Sequence, residues 1–152
     1  MILDPAKPAH VRALERLANE RVAWLTTVTP DGQPQTMPIW FLWLPLGTDP
    51  GDGDTGESGE ILVYGDRRAR RNRNLEGNDR VSFALRTDEH GGEVVVIEGR
   101  ATMDPAYPQV YDNPAYVAKY RDAIDRSLGG AKRMAETYDI PIRIRPTRIV
   151  AN

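Results

Sequence analysis

VAWLTTVTPDGQPQTMPIWFLWL, residues 22–44, is the stretch from which the fold is read. Val22 to Val28 is rich in β-branched and aromatic residues, which favour a pleated, half-buried strand. Thr29-Pro30-Asp31-Gly32 is a turn tetrapeptide in which Pro presets φ and Gly takes the permissive position. Gln35 to Leu44 returns as the second strand of the hairpin, with Pro38 marking an irregularity or a site that needs no N–H.

Further strands follow the same logic. Glu60 to Tyr64 is a third. Arg80 to Arg86 alternates apolar and polar residues with period two, turns at Asp88 to Gly92, and pairs back as Val94 to Ala101. Ile140 to Val150 alternates as the last strand, broken or bulged at Pro146. The helices carry their own punctuation. Pro8 suits a first helical position, with Val11, Leu14, Leu17 and Ala18 at helical spacing over residues 8–20. An Arg-rich helix follows the third strand, with Asp66 as N-cap and Gly77 near its end. Asn113-Pro114 opens a helix on which Val117, Tyr120, Ile124 and Leu128 recur, Gly129-Gly130 stops it, and Ala131 to Tyr138 forms a short second helix. Six strands with short helices at the crossings and chain ends predict a small antiparallel barrel of the α+β class, mainly β.

Composition bounds the rest. The chain has 152 residues, 40% apolar and 28% charged, with no cysteine. At roughly 100–200 residues per domain it is expected to form one domain over 1–152. The lack of Cys excludes disulfides, thiolate metal sites and a Cys nucleophile. No apolar run approaches the ~18 residues of a membrane helix, and the first residues lack a signal-peptide pattern, so a cytoplasmic protein off the membrane is expected. The formal charge of −2 conceals segregation: setting aside the five arginines at 67, 68, 70, 71 and 73 takes it to −7. The acids gather in the Gly/Asp stretch at about 46–59, which reads as a loop inserted between strands.

Several chemical motifs fail on inspection. Gly51 to Gly56 matches G-x-G-x-x-G, but no strand leads into it, no helix follows, and its Asp residues would repel a pyrophosphate. His10 and His90 lie far apart, and no metal site is expected. There is no G-x-S-x-G and no Walker loop. The tyrosines at 107, 111, 116 and 120 follow helical packing.

The Arg run is the sharp feature. No carboxylate sits at i+4 within it, so its cations repel one another unless an anion neutralises them. It follows a strand at a helix start, where backbone N–H groups also favour an anion. Guanidinium forks suit phosphate and carboxylate. The acidic pI near 5.7 and the absence of interleaved aromatics argue against nucleic acid, leaving a phosphorylated small ligand.

These residues carry a resemblance. The hairpin ending in Pro38-Ile39-Trp40-Phe41, the strand Ile61 to Tyr64, then Arg71, Arg73, Asn74 and Leu75, and finally Arg80-Val81 resemble the pyridoxamine-5'-phosphate-oxidase-like split β-barrel superfamily. Asp79 stands where that pattern has Pro, and Arg71 where Lys is common. The closing Pro141 to Arg148 resembles its deazaflavin-dependent branch. The resemblance implies a six-stranded split barrel and a homodimer with cofactor sites at the subunit interface. It implies coenzyme F420 as cofactor, whose phosphodiester and glutamate tail suits five arginines, with FMN as the alternative. It also implies phosphate contacts from Arg71 and Arg73, assisted by Arg67 or Arg70, with Asn74 nearby. Pro38, Ile39 and Trp40 would line the ring system beside Tyr64 and Gly65. The expected activity is hydride transfer to or from a small unsaturated or conjugated substrate, without an identifiable catalytic residue. A non-catalytic cofactor-binding or nucleic-acid-binding protein is the further alternative. Trp40, Trp43 and Tyr64 are candidate pocket walls, with core packing the alternative for Trp43.

Overall fold

The computed structural model describes residues 2–45 and 59–152. The expected acidic loop at 46–59 lies outside the described residues except for Gly59. Seven antiparallel strands form one sheet: β1 (Val22–Val28), β2 (Pro34–Trp40), β3 (Leu42–Leu44), β4 (Glu60–Gly65), β5 (Arg80–Ala84), β6 (Val95–Met103) and β7 (Ile140–Ala151). Their spatial order is β2-β1-β5-β6-β7-β4-β3. Four helices accompany them: α1 (Pro8–Asn19), α2 (Arg70–Gly77), α3 (Pro114–Ser127) and α4 (Ala131–Thr137). The fold is the expected α+β split barrel, with one strand more than the sequence reading counts.

The extra strand comes from a break at Phe41. The segment 35–44 reads as one run because its apolar character is continuous, yet β2 and β3 stand at opposite ends of the strand order. A single residue joins them, so the sheet must curl until its two edges meet there. Phe41 leaves the ladder, and its backbone groups need other partners. Its N–H donates to the Tyr120 hydroxyl at 2.9 Å, and its carbonyl accepts from Lys119 Nζ at 2.8 Å. Its ring drops into the barrel and meets Phe83 edge-on at 4.9 Å.

The hairpin forms as its turn chemistry dictates: Gly32 N–H donates to Thr29 O, and Gly32 takes φ of +90°. β2 is an edge strand, where Pro34 and Pro38 forfeit no interior ladder bond. The expected irregularity at Pro146 is a bulge. Glu98 pairs with Arg148 and Gly99 with Pro146, leaving Thr147 as the extra residue. A Cβ at Gly99 would lie 2.6 Å from the Arg145 carbonyl, so the bulge demands glycine there.

Two apolar layers result. Alternate residues of the strands, such as Leu25, Ile39, Val63, Phe83 and Ile97, fill the barrel, and α1 closes it with Ala13 and Leu17. Val11, expected on that packed face, stays exposed instead, because Ala13 and Leu17 set the buried stripe. On the outside of β3 and β4, residues Leu44, Leu62 and Tyr64 pack beneath Tyr116, Tyr120 and Ile124 of α3 and Met134 of α4. α3 starts as expected, with Asn113 accepting the Tyr116 N–H and Pro114 in the first turn. Among the described residues no helix is long and apolar enough to cross a membrane.

Candidate functional site

The Arg run does not fold as a helix from Asp66. The Asp66 carboxylate accepts the Arg68 N–H at 2.9 Å, an aspartate turn that competes with N-capping. The helix begins only at Arg70; its N-cap is Ala69, and no side chain caps it. Arg67 and Arg68 therefore lie in the preceding turn, and each has a carboxylate. Arg67 pairs with Asp139, at the entry to β7, and Arg68 with Asp66 at 3.2 Å. The expected run of five uncompensated cations thus shrinks to three.

Those three diverge around α2. Arg70 and Arg73 point to solvent, with no ion-pair partner among the described residues. Arg71 turns inward and is half-buried; its Nε is buried without a hydrogen-bond partner. Burial pushes its guanidinium below the usual range, opposed by the fields of Tyr138 and Asp66. Asn74 is buried and donates to Thr27 Oγ1 at 2.9 Å and Gln35 Oε1 at 3.0 Å, so its amide is occupied in fixing α2 to β1 and β2. Gly65 is buried where a Cβ would meet Ile142 Cδ1 at 2.9 Å and Asn72 Oδ1 at 3.2 Å, which packs α2 tightly onto β4.

Arg71 reaches a cavity of about 430 Å³ at the split of the barrel. Pro38, Ile39 and Trp40 of β2 form one wall, Val63 and Tyr64 of β4 another, and Tyr116, Leu128, Met134 and Tyr138 from the α3–α4 hairpin roof it. Five of the sequence-selected residues, Pro38, Ile39, Trp40, Tyr64 and Arg71, converge here. Gly65, Arg67, Arg70, Arg73 and Asn74 do not line it. Trp43 is buried in the barrel interior and belongs to the core.

The cavity is aromatic, and among the described residues its lining carries one formal charge, on Arg71. Trp40 stacks on Tyr120 at 4.7 Å, and Tyr116 stands edge-on to Tyr64 at 4.8 Å. The Tyr64 hydroxyl donates to Pro108 O at 2.6 Å and accepts from Asn113 Nδ2 at 3.1 Å. Burial pushes its pKa up to about 12 and that of Tyr116 higher still, so both stay neutral. Tyr116 escapes the sequence reading because helical spacing marks it only as a packing residue, and Tyr138 because it is read only as the end of the short second helix.

The cavity mouth adjoins an open sheet face. Pro38, Trp24, Ala84, Val96 and Val150 face one another across five strands in register. Trp24 and Val22 on this face are each 48% exposed. Val22, Pro38 and Trp40 belong to both the face and the cavity lining.

A family model described as pyridoxamine 5'-phosphate oxidase matches residues 9–148. No curated protein sequence matches the chain. Among solved structures it is similar to an F420 reductase at 23% identity, covering 90% of this chain and 94% of that one, with a TM-score of 0.59. It is similar to the heme storage protein HutZ of Vibrio cholerae at 19% identity, covering 99% and 95%, also with a TM-score of 0.59. An FAD-binding protein of Mesorhizobium loti aligns at 17% identity over 91% and 90% of the two chains, with a TM-score of 0.58. At these identities the likenesses establish a shared fold.

Proposed function

The chain belongs to the pyridoxamine 5'-phosphate oxidase family, and on that premise we propose that it is an oxidoreductase using coenzyme F420 to pass a hydride to or from a small conjugated substrate. The observation that carries the reading is the partition of the Arg run. Two exposed arginines without carboxylate partners among the described residues, Arg70 and Arg73, flank the uncapped start of α2, and α2 borders an apolar cavity through Arg71. Free N–H groups at a helix start and clustered guanidinium forks are what a phosphate-bearing tail requires. The F420 tail carries more negative charge than that of FMN, which favours the deazaflavin over the flavin. The structural likeness to an F420 reductase supports the same choice.

Arg70 and Arg73, with the first N–H groups of α2, would hold the coenzyme's phosphate and acidic tail. Pro38, Ile39 and Trp40 would bear its ring system at the cavity wall. When bound, the coenzyme supplies the hydride chemistry. The protein's residues position, desolvate and polarise. Trp40, Leu128 and Met134 give the cavity an apolar lining against which a bound ring would be desolvated. The Tyr64 hydroxyl, fixed by Pro108 and Asn113, holds its ring in place. No general base is required for hydride transfer from such a coenzyme.

The apolar row on the open sheet face supports a homodimer with the sites at the interface, since the cavity mouth and the row share residues. A second copy would cover Trp24 and close the mouth. Parallel fluorescence titrations with F420 and FMN test the cofactor. Micromolar or tighter binding of F420, with FMN weaker, is expected; tighter binding of FMN with no response to F420 would reverse the assignment.

A further inference from the structure

We infer that the cavity binds a planar carboxylate, an aromatic or α,β-unsaturated acid, with its anionic oxygens held by the Arg71 guanidinium and the Tyr116 hydroxyl. That this acid is the hydride acceptor rests on the proposed function; that it binds does not.

The first observation is an uncompensated charge. Arg67 and Arg68, both exposed, each have a carboxylate, whereas Arg71, the half-buried one, has none among the described residues. The carboxylate whose field reaches it, Asp66, is engaged by the backbone and side chain of Arg68. Among the described residues no Asp or Glu lines the cavity. A buried cation without a counter-ion is costly, and an anionic ligand offsets that cost.

The second observation is an idle hydroxyl. Three tyrosines form one buried cluster, and two of their hydroxyls are fully used. Tyr64 binds Pro108 and Asn113, and Tyr120 binds Phe41 and Arg21. Tyr116 is as buried as Tyr120 but makes no hydrogen bond through its hydroxyl to any described residue. Unlike Arg71 Nε, its oxygen is not one of the fully buried atoms left without a partner, so it is open to the cavity. The hydroxyl lines the same cavity as Arg71, and it remains protonated, so it serves an anionic oxygen as a donor.

The third observation selects the anion. Apart from Arg71, Ser127 and the tyrosine edges the described walls are apolar, among them Ile39, Trp40, Val63, Leu128 and Met134. One guanidinium and one hydroxyl suit the two oxygens of a carboxylate, whereas a phosphate would present a third oxygen to an apolar wall. Phosphate finds better company at Arg70, Arg73 and the start of α2. The aromatic walls take the flat apolar body of the acid. A carboxylate in the coenzyme's own tail shares this chemistry, so the test separates the two sources.

The test is calorimetric titration of the full chain, with and without F420, using trans-cinnamate and its neutral isostere cinnamamide. Cinnamate is expected to bind about tenfold or more tightly than the amide, the size of one charge-assisted contact. Arg71→Gln should abolish that preference while leaving F420 affinity within about threefold. Tyr116→Phe, which keeps the ring, should weaken cinnamate about fivefold or more. Equal binding of acid and amide by the unaltered protein would overturn the inference. So would an Arg71→Gln variant that loses F420 affinity but not cinnamate, because Arg71 would then serve the coenzyme. A protein that prefers cinnamate but ignores F420 would sink the coenzyme reading and leave the acid site standing.

Discussion

Removing one oxygen from Tyr120 and one from Tyr116 should have opposite consequences, although the two side chains sit one turn apart on α3 and pack at 5.0 Å. The Tyr120 hydroxyl accepts the Phe41 N–H at 2.9 Å and lies within donating distance of the carbonyls of Arg21, 2.7 Å, and Phe41, 2.8 Å. In Tyr120→Phe the Phe41 N–H is left buried without an acceptor, which costs about 1–3 kcal/mol. The Phe41 carbonyl keeps Lys119, and exposed Arg21 can turn to water, so those losses add less. A total of about 2–3 kcal/mol lowers Tm by roughly 5–10 °C in a domain of this size. In Tyr116→Phe no bond is lost, so the change should stay within about 0.5 kcal/mol or stabilise slightly. Thermal melts by circular dichroism, with urea midpoints at constant m-value, provide the comparison. A neutral Tyr120→Phe would refute the clamp at the strand crossing. Equal losses in both variants would show that the Tyr116 hydroxyl has a partner and is not available to a ligand.

Three other outcomes follow from the same geometry. Trp24→Glu places a charge within the apolar sheet row, and sedimentation should show the proposed dimer shifted to monomer; an unchanged mass would mean that the face is not the interface. Asn74→Ala strands the buried Thr27 hydroxyl and should cost about 1–2 kcal/mol in urea unfolding. Burial pushes Lys119 from 10.5 down to about 8, so between those values the folded state holds fewer protons than the unfolded one. Its charge-burial cost applies in full below pH 8, and stability should therefore rise from pH 8 towards pH 10, before the buried tyrosines oppose it. Lys119→Met should flatten that rise in urea midpoints measured across the range.

What was legible in the sequence was local chemistry. The Thr29 to Gly32 turn, the Asn113-Pro114 helix start and the bulge at Pro146 each depend on residues within a few positions, and all three formed as read. The break at Phe41 was not legible, since its backbone partners, Tyr120 and Lys119, lie 79 and 78 residues away. Likewise Arg67 finds Asp139 across 72 residues, so a search for partners at helical spacing counts it as uncompensated. Asp66 illustrates a local competition misjudged: the same side chain that can cap a helix two or three residues on can instead close a turn onto Arg68. Pro38, Trp40, Tyr64 and Arg71 were brought to one cavity by short motifs. Tyr116 was missed because periodicity marks it exactly as it marks Tyr120, and only tertiary partners tell an occupied hydroxyl from an idle one.

The measurement that bears most directly on the proposed function is F420 affinity, by fluorescence titration, in the unaltered chain and in an Arg70→Gln/Arg73→Gln double variant. Micromolar or tighter binding, reduced about tenfold or more in the double variant and weakened by added salt, is the predicted result. Binding that is equally tight in both proteins and indifferent to salt would contradict it, returning the arginines to a solvated helix face.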